Sequence, residues 1–519
     1  MRYNKNVLFG GILALSVVAT PCLAAVSSSE AAHLGKDLTP FGSPRAGNDA
    51  GTIPAWDGGL TEPPPGYEGS GQHHIDPFPD DQVLFTITAA NMDQYADFLT
   101  DGVKAMFETY PTTFRVPVYQ SRRTHAVPDW VAENTRKNAT KAEIVGQGEG
   151  IKGAYGGYPF PILQGNDEEK AWQVIWNHLT RWRGIYVTRR SSEVAVQQNG
   201  DYSLVTSQQE AFFNYYNPEG DESTLDNVIF YYLSFTLSPP RLAGGAILIH
   251  ETLNQIINPR NGWGYNAGQR RVRRAPNLGY DSPIAASDNL RTADDTDIFN
   301  GALDRYNWKY LGKREIYIPY NNYRIGQKGL PYSEILGISH LNPDLMRWEL
   351  HRVHVVEATL KEGARHIYAK RRFYVDEDSW NTVLLDQYDG RGELWRVTMA
   401  VLKNYYELPG VWSVLDVYHD LQARRYHVLG LDTEEPNTRV FSDDIPNKRY
   451  FSPASLRRRS VRLVALTGVR PRHRESGGYS HAGSPRIAGM FTVKTRYFAG
   501  QRHTVKQPIG TSNGYKLDA

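Results

Sequence analysis

The stretch Val228-Ile229-Phe230-Tyr231-Tyr232-Leu233-Ser234-Phe235-Thr236-Leu237, followed after a Pro/Gly-containing break by Ala246-Ile247-Leu248-Ile249, decides the fold class. Both runs have strand length, are rich in β-branched and aromatic residues, and are bounded by turn formers. Neither alternates apolar with polar, so the pattern predicts strands shielded from water on both faces. Helices, a second sheet or an apolar ligand could supply the second cover.

The same texture extends outward from this point. Runs at 185–196, 202–216, 228–237, 246–257 and 263–273, then 308–318, 347–359, 366–375, 379–388, 393–406 and 412–420, are separated by short Gly, Asn, Asp or Pro breaks. That spacing predicts an antiparallel meander of about eleven strands, interrupted by a polar insertion near 276–306. Upstream, Met92, Tyr95, Phe98, Leu99, Val103, Met106 and Phe107 recur at three- and four-residue steps, which predicts a helix near 88–110. Ala171, Trp172, Ile175, Trp176 and Leu179 predict a second near 166–183, capped by Asn166 and stopped at Gly184. Residues 25–81 are rich in Gly and Pro and read as an arm held by contact rather than by its own periodicity.

The ends carry separate signals. Residues 1–24 have a positive start at Arg2 and Lys5, an apolar stretch and a small-x-small site at Cys22-Leu23-Ala24, the parts of a cleavable export signal with cleavage after Ala24. Pro21 before Cys22 disfavours lipoprotein acylation there. Cys22 is the one cysteine, so cleavage leaves no thiol for a disulfide, nucleophile or metal site. With +2 in the signal and +11 from Arg457 onward, the net charge of +2 leaves −11 for the body. An acidic body argues against nucleic acid as partner. The basic tail, 457–519, reads as disordered, with peripheral contact to anionic lipid as its functional option.

Chemical motifs are scarce. Gly148-Glu149-Gly150-Ile151-Lys152-Gly153 matches a dinucleotide fingerprint by letters, but Tyr155-Gly156-Gly157-Tyr158-Pro159 follows where a helix is required. His250-Glu251 has Asn254 where a zinc protease needs its second His, and no Gly-x-Ser-x-Gly elbow occurs. Asp294, Asp295 and Asp297, like Asp376, Glu377 and Asp378, read as turn residues. His73-His74 in the arm reads as an adventitious surface metal contact. The pattern implies neither cofactor nor metal. Arg270-Arg271-Val272-Arg273-Arg274, set on a strand after Trp263, could hold an anionic head group through Arg271 and Arg273, or pair with the acidic insertion. Phe230, Tyr232, Leu248 and Trp263 are the candidates for an apolar lining.

Leu38-Thr39-Pro40-Phe41-Gly42, Gly51-Thr52-Ile53-Pro54-Ala55-Trp56-Asp57-Gly58-Gly59, Gln269-Arg270-Arg271-Val272-Arg273-Arg274-Ala275-Pro276 with Asn258-Pro259-Arg260 before it, and Arg365-His366-Ile367-Tyr368-Ala369-Lys370-Arg371 form recognisable blocks. Over about Leu38 to Arg459 the chain resembles a proteobacterial family of exported proteins of unknown function, often labelled outer-membrane lipoprotein-sorting proteins. The resemblance implies a mainly β fold like the periplasmic lipoprotein carriers: a strongly curved, unclosed antiparallel sheet, or half-barrel, with helices on its concave face. Between the arm and the tail, residues 82–456 read as a single domain. By association the resemblance further implies a resistance-nodulation-division-type transporter and an outer-membrane barrel as partners. The leading expectation is a non-enzymatic periplasmic carrier of a lipid, lipoprotein acyl chain or other apolar compound. An enzyme acting on a lipid-like or ester substrate, and an adaptor between transporter and outer membrane, stand as alternatives.

Overall fold

Thirteen strands of four or more residues are assigned among the described residues: β1 (Tyr186–Val196), β2 (Val205–Phe212), β3 (Val228–Ser238), β4 (Ala246–Thr252), β5 (Asn261–Asn266), β6 (Arg271–Arg274), β7 (Tyr306–Pro319), β8 (Trp348–Leu360), β9 (Lys370–Asp376), β10 (Thr382–Tyr388), β11 (Leu394–Tyr405), β12 (Gly410–Asp420) and β13 (Arg425–Leu431). The computed structural model describes residues 25–275 and 278–467. All thirteen belong to one sheet, in the order β7-β8-β9-β10-β11-β12-β13-β1-β2-β3-β4-β5-β6. Every pairing along this path is antiparallel. The path ends at β6 without returning to β7, so the fold is mainly β and the sheet is not closed. Short strands Phe85–Ile87 and Val116–Val118 attach beside the end of β8, and Val440–Ser442 pairs with β1.

Cover differs along the sheet. In β10 every residue is buried. Adjacent residues there point to opposite faces, and each face has its own lid. Asp386 meets helix α1 (Asp101–Thr109), where a Cβ on Gly102 would lie 2.1 Å from the Asp386 carboxylate. Gln387 instead donates to Asp295 of the insertion at 2.8 Å. Helix α2 (Asp167–Leu179) lies on the insertion side, since its His178 bonds the Phe299 carbonyl at 3.0 Å and Phe299 packs on Phe373 of β9. The expected Asn166 cap is present, with its side chain accepting from Glu168 and Glu169, an arrangement typically worth about 1 kcal/mol.

Several sequence expectations are corrected. The opening stretch is a strand, but β3 alternates: Ile229, Tyr231, Leu233 and Phe235 are buried, while Phe230, Tyr232 and Ser234 are half-buried. Only the first face has a full cover, from Phe451 and helix α3 (Pro453–Thr467), with Arg459 over the Phe235 ring. The strands shielded on both faces are instead central, β10 to β13. The 263–273 run is two strands, β5 and β6, because Ala267-Gly268-Gln269-Arg270 turns the chain, with Arg270 at φ 53°. β13 was not expected at all. The 88–110 helix is a 3₁₀ segment, Met92–Phe98, then α1, because Thr100 breaks off to cap Val103 at 3.0 Å. The basic tail begins as helix α3 rather than as disordered chain; its remainder, and the export signal, lie outside the described residues. No helix among the described residues is long and apolar enough to cross a membrane.

The arm is ordered by contact, as expected. Phe41 is fully buried, its carbonyl accepts from Trp380 Nε1 at 2.9 Å, and its ring meets Trp56 and His125 edge-on. Gly42 and Gly59 allow the close approach. Both have positive φ, and a Cβ would sit 1.9 Å from the Pro161 oxygen and 2.4 Å from the His125 oxygen, respectively, contacts only glycine permits.

Candidate functional site

The docked arm leaves a cavity of about 740 Å³ between itself and the β7–β8 edge of the sheet. Residues 51–59 of the arm, one of the blocks carrying the family resemblance, form one wall through Gly51, Thr52, Pro54, Ala55, Asp57 and Gly59. Leu84, Phe85, Val118, Tyr119, Tyr317 and Leu350 give the other side an aliphatic and aromatic surface. Phe85 is held by a stacked contact to Tyr95 at 5.0 Å and an edge contact to Tyr317 at 6.0 Å. Leu84 stands 62% exposed, its amide fixed to the Val118 carbonyl.

The polar part is Gln120 to Thr124. Arg122 forks onto Asp81 at 2.5 and 2.7 Å and stacks over Phe78 at 4.4 Å. Arg347 reaches the same Asp81 at 2.8 Å and Glu349 at 2.6 Å. Arg123 is buried and clamps Asp378 at 2.7 and 2.9 Å while donating to the Pro44 carbonyl at 2.9 Å. It thereby ties the arm to the 376–381 turn. Burial alone would raise the Asp378 carboxyl, but Arg123, with Ser43 donating at 2.6 Å, overrides it and holds the group well below the usual range. Burial beside Asp378 pushes Asp376 the other way, upward. The guanidiniums facing the cavity are thus already neutralised, which leaves it mixed rather than strongly charged.

None of the six residues singled out from sequence lines this cavity. Cross-strand register puts Leu233, Leu248 and Trp263 in one row, and Tyr232 with Ile249 on the opposite face. Leu248 is fully buried, and Trp263 packs on His250 at 4.8 Å on the α3 side. Phe230, on the other face, meets Phe213 and the Arg183 guanidinium. The four proposed lining residues are therefore not brought together, because a strand period of two separates them. Arg271 and Arg273 are exposed on the edge strand β6 and share the Tyr232 face, separated from it by Gly264 and Ile247.

The acidic insertion does not pair with those arginines. Asp294 bonds Arg371 at 2.5 Å and His366 at 2.9 Å, Asp295 accepts from Tyr368 at 2.9 Å, and Asp297 pairs with Arg181 and Arg183. These turn carboxylates are buried anchors that fasten the insertion to the sheet. His73 and His74 are likewise buried, not on the surface: His74 bonds Glu407 at 2.9 Å and His73 the Glu435 carbonyl at 3.0 Å. His250 is a satisfied sheet residue, bonded to the Phe451 carbonyl at 2.8 Å. No group of three or more metal-ligating side chains is assembled among the described residues.

The chain is 47% identical over 462 residues to the uncharacterized protein PA3922 of Pseudomonas aeruginosa, covering 89% of this chain and all of that one. Among solved structures it is similar to a domain described as outer-membrane lipoprotein-sorting from Vibrio parahaemolyticus (14% identity, 56% of this chain and 99% of that one, TM-score 0.37). A DUF1329 family protein from Desulfovibrio piger (13%, 53% and 92%, TM-score 0.35) and a LolA superfamily protein from Nitrosomonas europaea (12%, 54% and 97%, TM-score 0.32) are similar at the same level. The family model described as "Protein of unknown function (DUF1329)" matches residues 86–457, which spans all of β1 to β13, and the chain belongs to that family.

Proposed function

We propose that the protein is a non-enzymatic periplasmic carrier of a single-chain apolar or amphiphilic molecule, held in the cavity between the arm and the sheet edge. The cavity carries the reading. Its volume of about 740 Å³ falls among those of small-molecule sites, roughly 300–1,000 Å³. A surface built from Leu84, Phe85, Val118, Tyr317 and Leu350 suits an acyl chain, while Gln120, Arg122 and Thr124 offer partners to a polar end. Each methylene removed from water contributes about 0.8 kcal/mol. Ten of them contribute about 8 kcal/mol, within the range of roughly 4–15 kcal/mol that association costs in lost translational and rotational freedom, so a chain of at least that length is needed. The export signal read from sequence supplies the compartment.

The enzyme alternative is less well supported. The titratable residues Asp376, Asp378 and His351 are buried, and none lines the cavity. Native mass spectrometry of the delipidated chain, offered palmitate or a lysophospholipid, tests the carrier reading. One bound chain per protein is expected, with affinity reduced several-fold in Leu84→Asp, whose exposed position spares the fold. A protein that takes up neither probe overturns the reading.

A further inference from the structure

Residues 228–275, which form β3 to β6, contain six arginines and one carboxylate, Glu251, in a body whose net charge is −11. Glu251 is already taken by Arg260 at 2.6 Å. Among the described residues, Arg241, Arg270, Arg271 and Arg273 have no ion-pair partner, and Arg274 reaches only the Asn261 side chain. This end of an acidic molecule is therefore a concentrated, uncompensated positive charge. The strands place it together. Ala246 of β4 pairs with Phe235 on one side and Tyr265 on the other, so the 239–245 and 267–270 turns emerge side by side. They carry Arg241 and Arg270. Along the face below, Ile247, Gly264 and Arg273 lie in one cross-strand row, and a Cβ on Gly264 would meet nothing within 4 Å.

Aliphatic residues stand among these guanidiniums without cover. Leu242 is 36% and Ile247 46% exposed, and Ile256 and Ile257 in the opposite turn of the same ribbon are more exposed still. We propose that this ribbon edge is a docking surface for an anionic lipid bilayer. Lone aliphatic side chains flanked by arginines match an interface where the chain enters the acyl boundary and the guanidinium stays among head-group phosphates. A protein strand is a poorer occupant. β6 has four residues, three of them arginines, and a short charged edge resists strand addition. Helix α3 packs behind the ribbon and leads into residues 468–519, whose charge is also strongly positive.

Co-sedimentation of the full mature chain with vesicles of 70% phosphatidylcholine and 30% phosphatidylglycerol, against pure phosphatidylcholine, tests this surface. Binding is expected only to the anionic vesicles, and it weakens steeply with salt. Replacing Arg270, Arg271 and Arg273 by Glu should lower affinity by more than about tenfold, and Leu242→Ser with Ile247→Ser several-fold, each with an unchanged melting temperature. Equal binding to both vesicle types overturns the proposal. So does wild-type binding by the arginine variant when neutralising Arg470, Arg472 and Arg474 abolishes it. Absence of vesicle binding together with arginine-dependent crosslinking to an acidic protein also overturns it.

Discussion

Asp386 shows how far a single residue can be set by distant structure. It lies mid-strand in β10, fully buried, accepting from the Tyr374 hydroxyl at 3.1 Å with the Gly102 backbone pressed against it. Burial pushes its carboxyl up to about 7 from an ordinary 3.8. The folded chain therefore holds this proton more tightly than the unfolded chain does. Its contribution favours folding below the unfolded value, near pH 4, and is lost as pH rises through about 7. Asp386→Asn removes the charge and keeps the shape. It should exceed the parent in stability at pH 8 by a few kcal/mol at most, with the gap closing toward pH 4. Urea melts at the two pH values measure it, and a gap that fails to shrink in acid rejects the assignment. Nothing in Leu384-Leu385-Asp386-Gln387 distinguishes this Asp from a turn Asp, because its burial comes from a helix beginning at residue 101. The same holds for Asp294 and Asp378. Turn chemistry places them correctly in the chain and says nothing of the arginines they meet.

At the level of elements, strand existence was legible and strand orientation was not. Ten of the runs read as strands fall on single observed strands, because length, β-branching and breaks are local properties. The division of 263–273 was hidden by Gly268 lying inside an otherwise acceptable pattern, and β13 by Gly430 in its short run. The arm shows the reverse case. It has no periodicity, yet it is fixed by glycines that permit backbone contact and by Arg123, which bonds Asp378 and arm carbonyls together. Removing one partner of such a buried pair costs roughly 3–5 kcal/mol, since the other charge stays behind. Arg123→Met should therefore lower stability by about that amount and make the arm between residues 25 and 81 the first site of limited proteolysis. Cleavage elsewhere first, with the arm still protected, would show that Arg123 is not what holds it.

Across the whole molecule, the cover on the sheet falls from centre to edge. β10 to β13 are buried on both faces, with α1 against β10 and β11 on one side and the insertion bonded to Gln387, Arg396, Tyr418 and Arg425 on the other. β3 has one covered face, and β6 is largely exposed at the end of the path. The sequence pattern put the doubly shielded strands at 228–249 because it registers hydrophobicity, not cover; in β10 to β13 the polar residues Asp386, Thr398, Asp416 and His427 break the apolar run while being buried. The cavity was equally unreadable, since it is assembled from segments more than 290 residues apart; only the 51–59 block had drawn notice. Backbone amides exchange according to how much structure must open. Hydrogen exchange should therefore rank β10 to β13 slowest, near global unfolding, and β5 and β6 faster by several orders of magnitude. If β5 and β6 exchange as slowly as β11 in the isolated chain, their outer edge is covered in solution and cannot be the end of an open sheet.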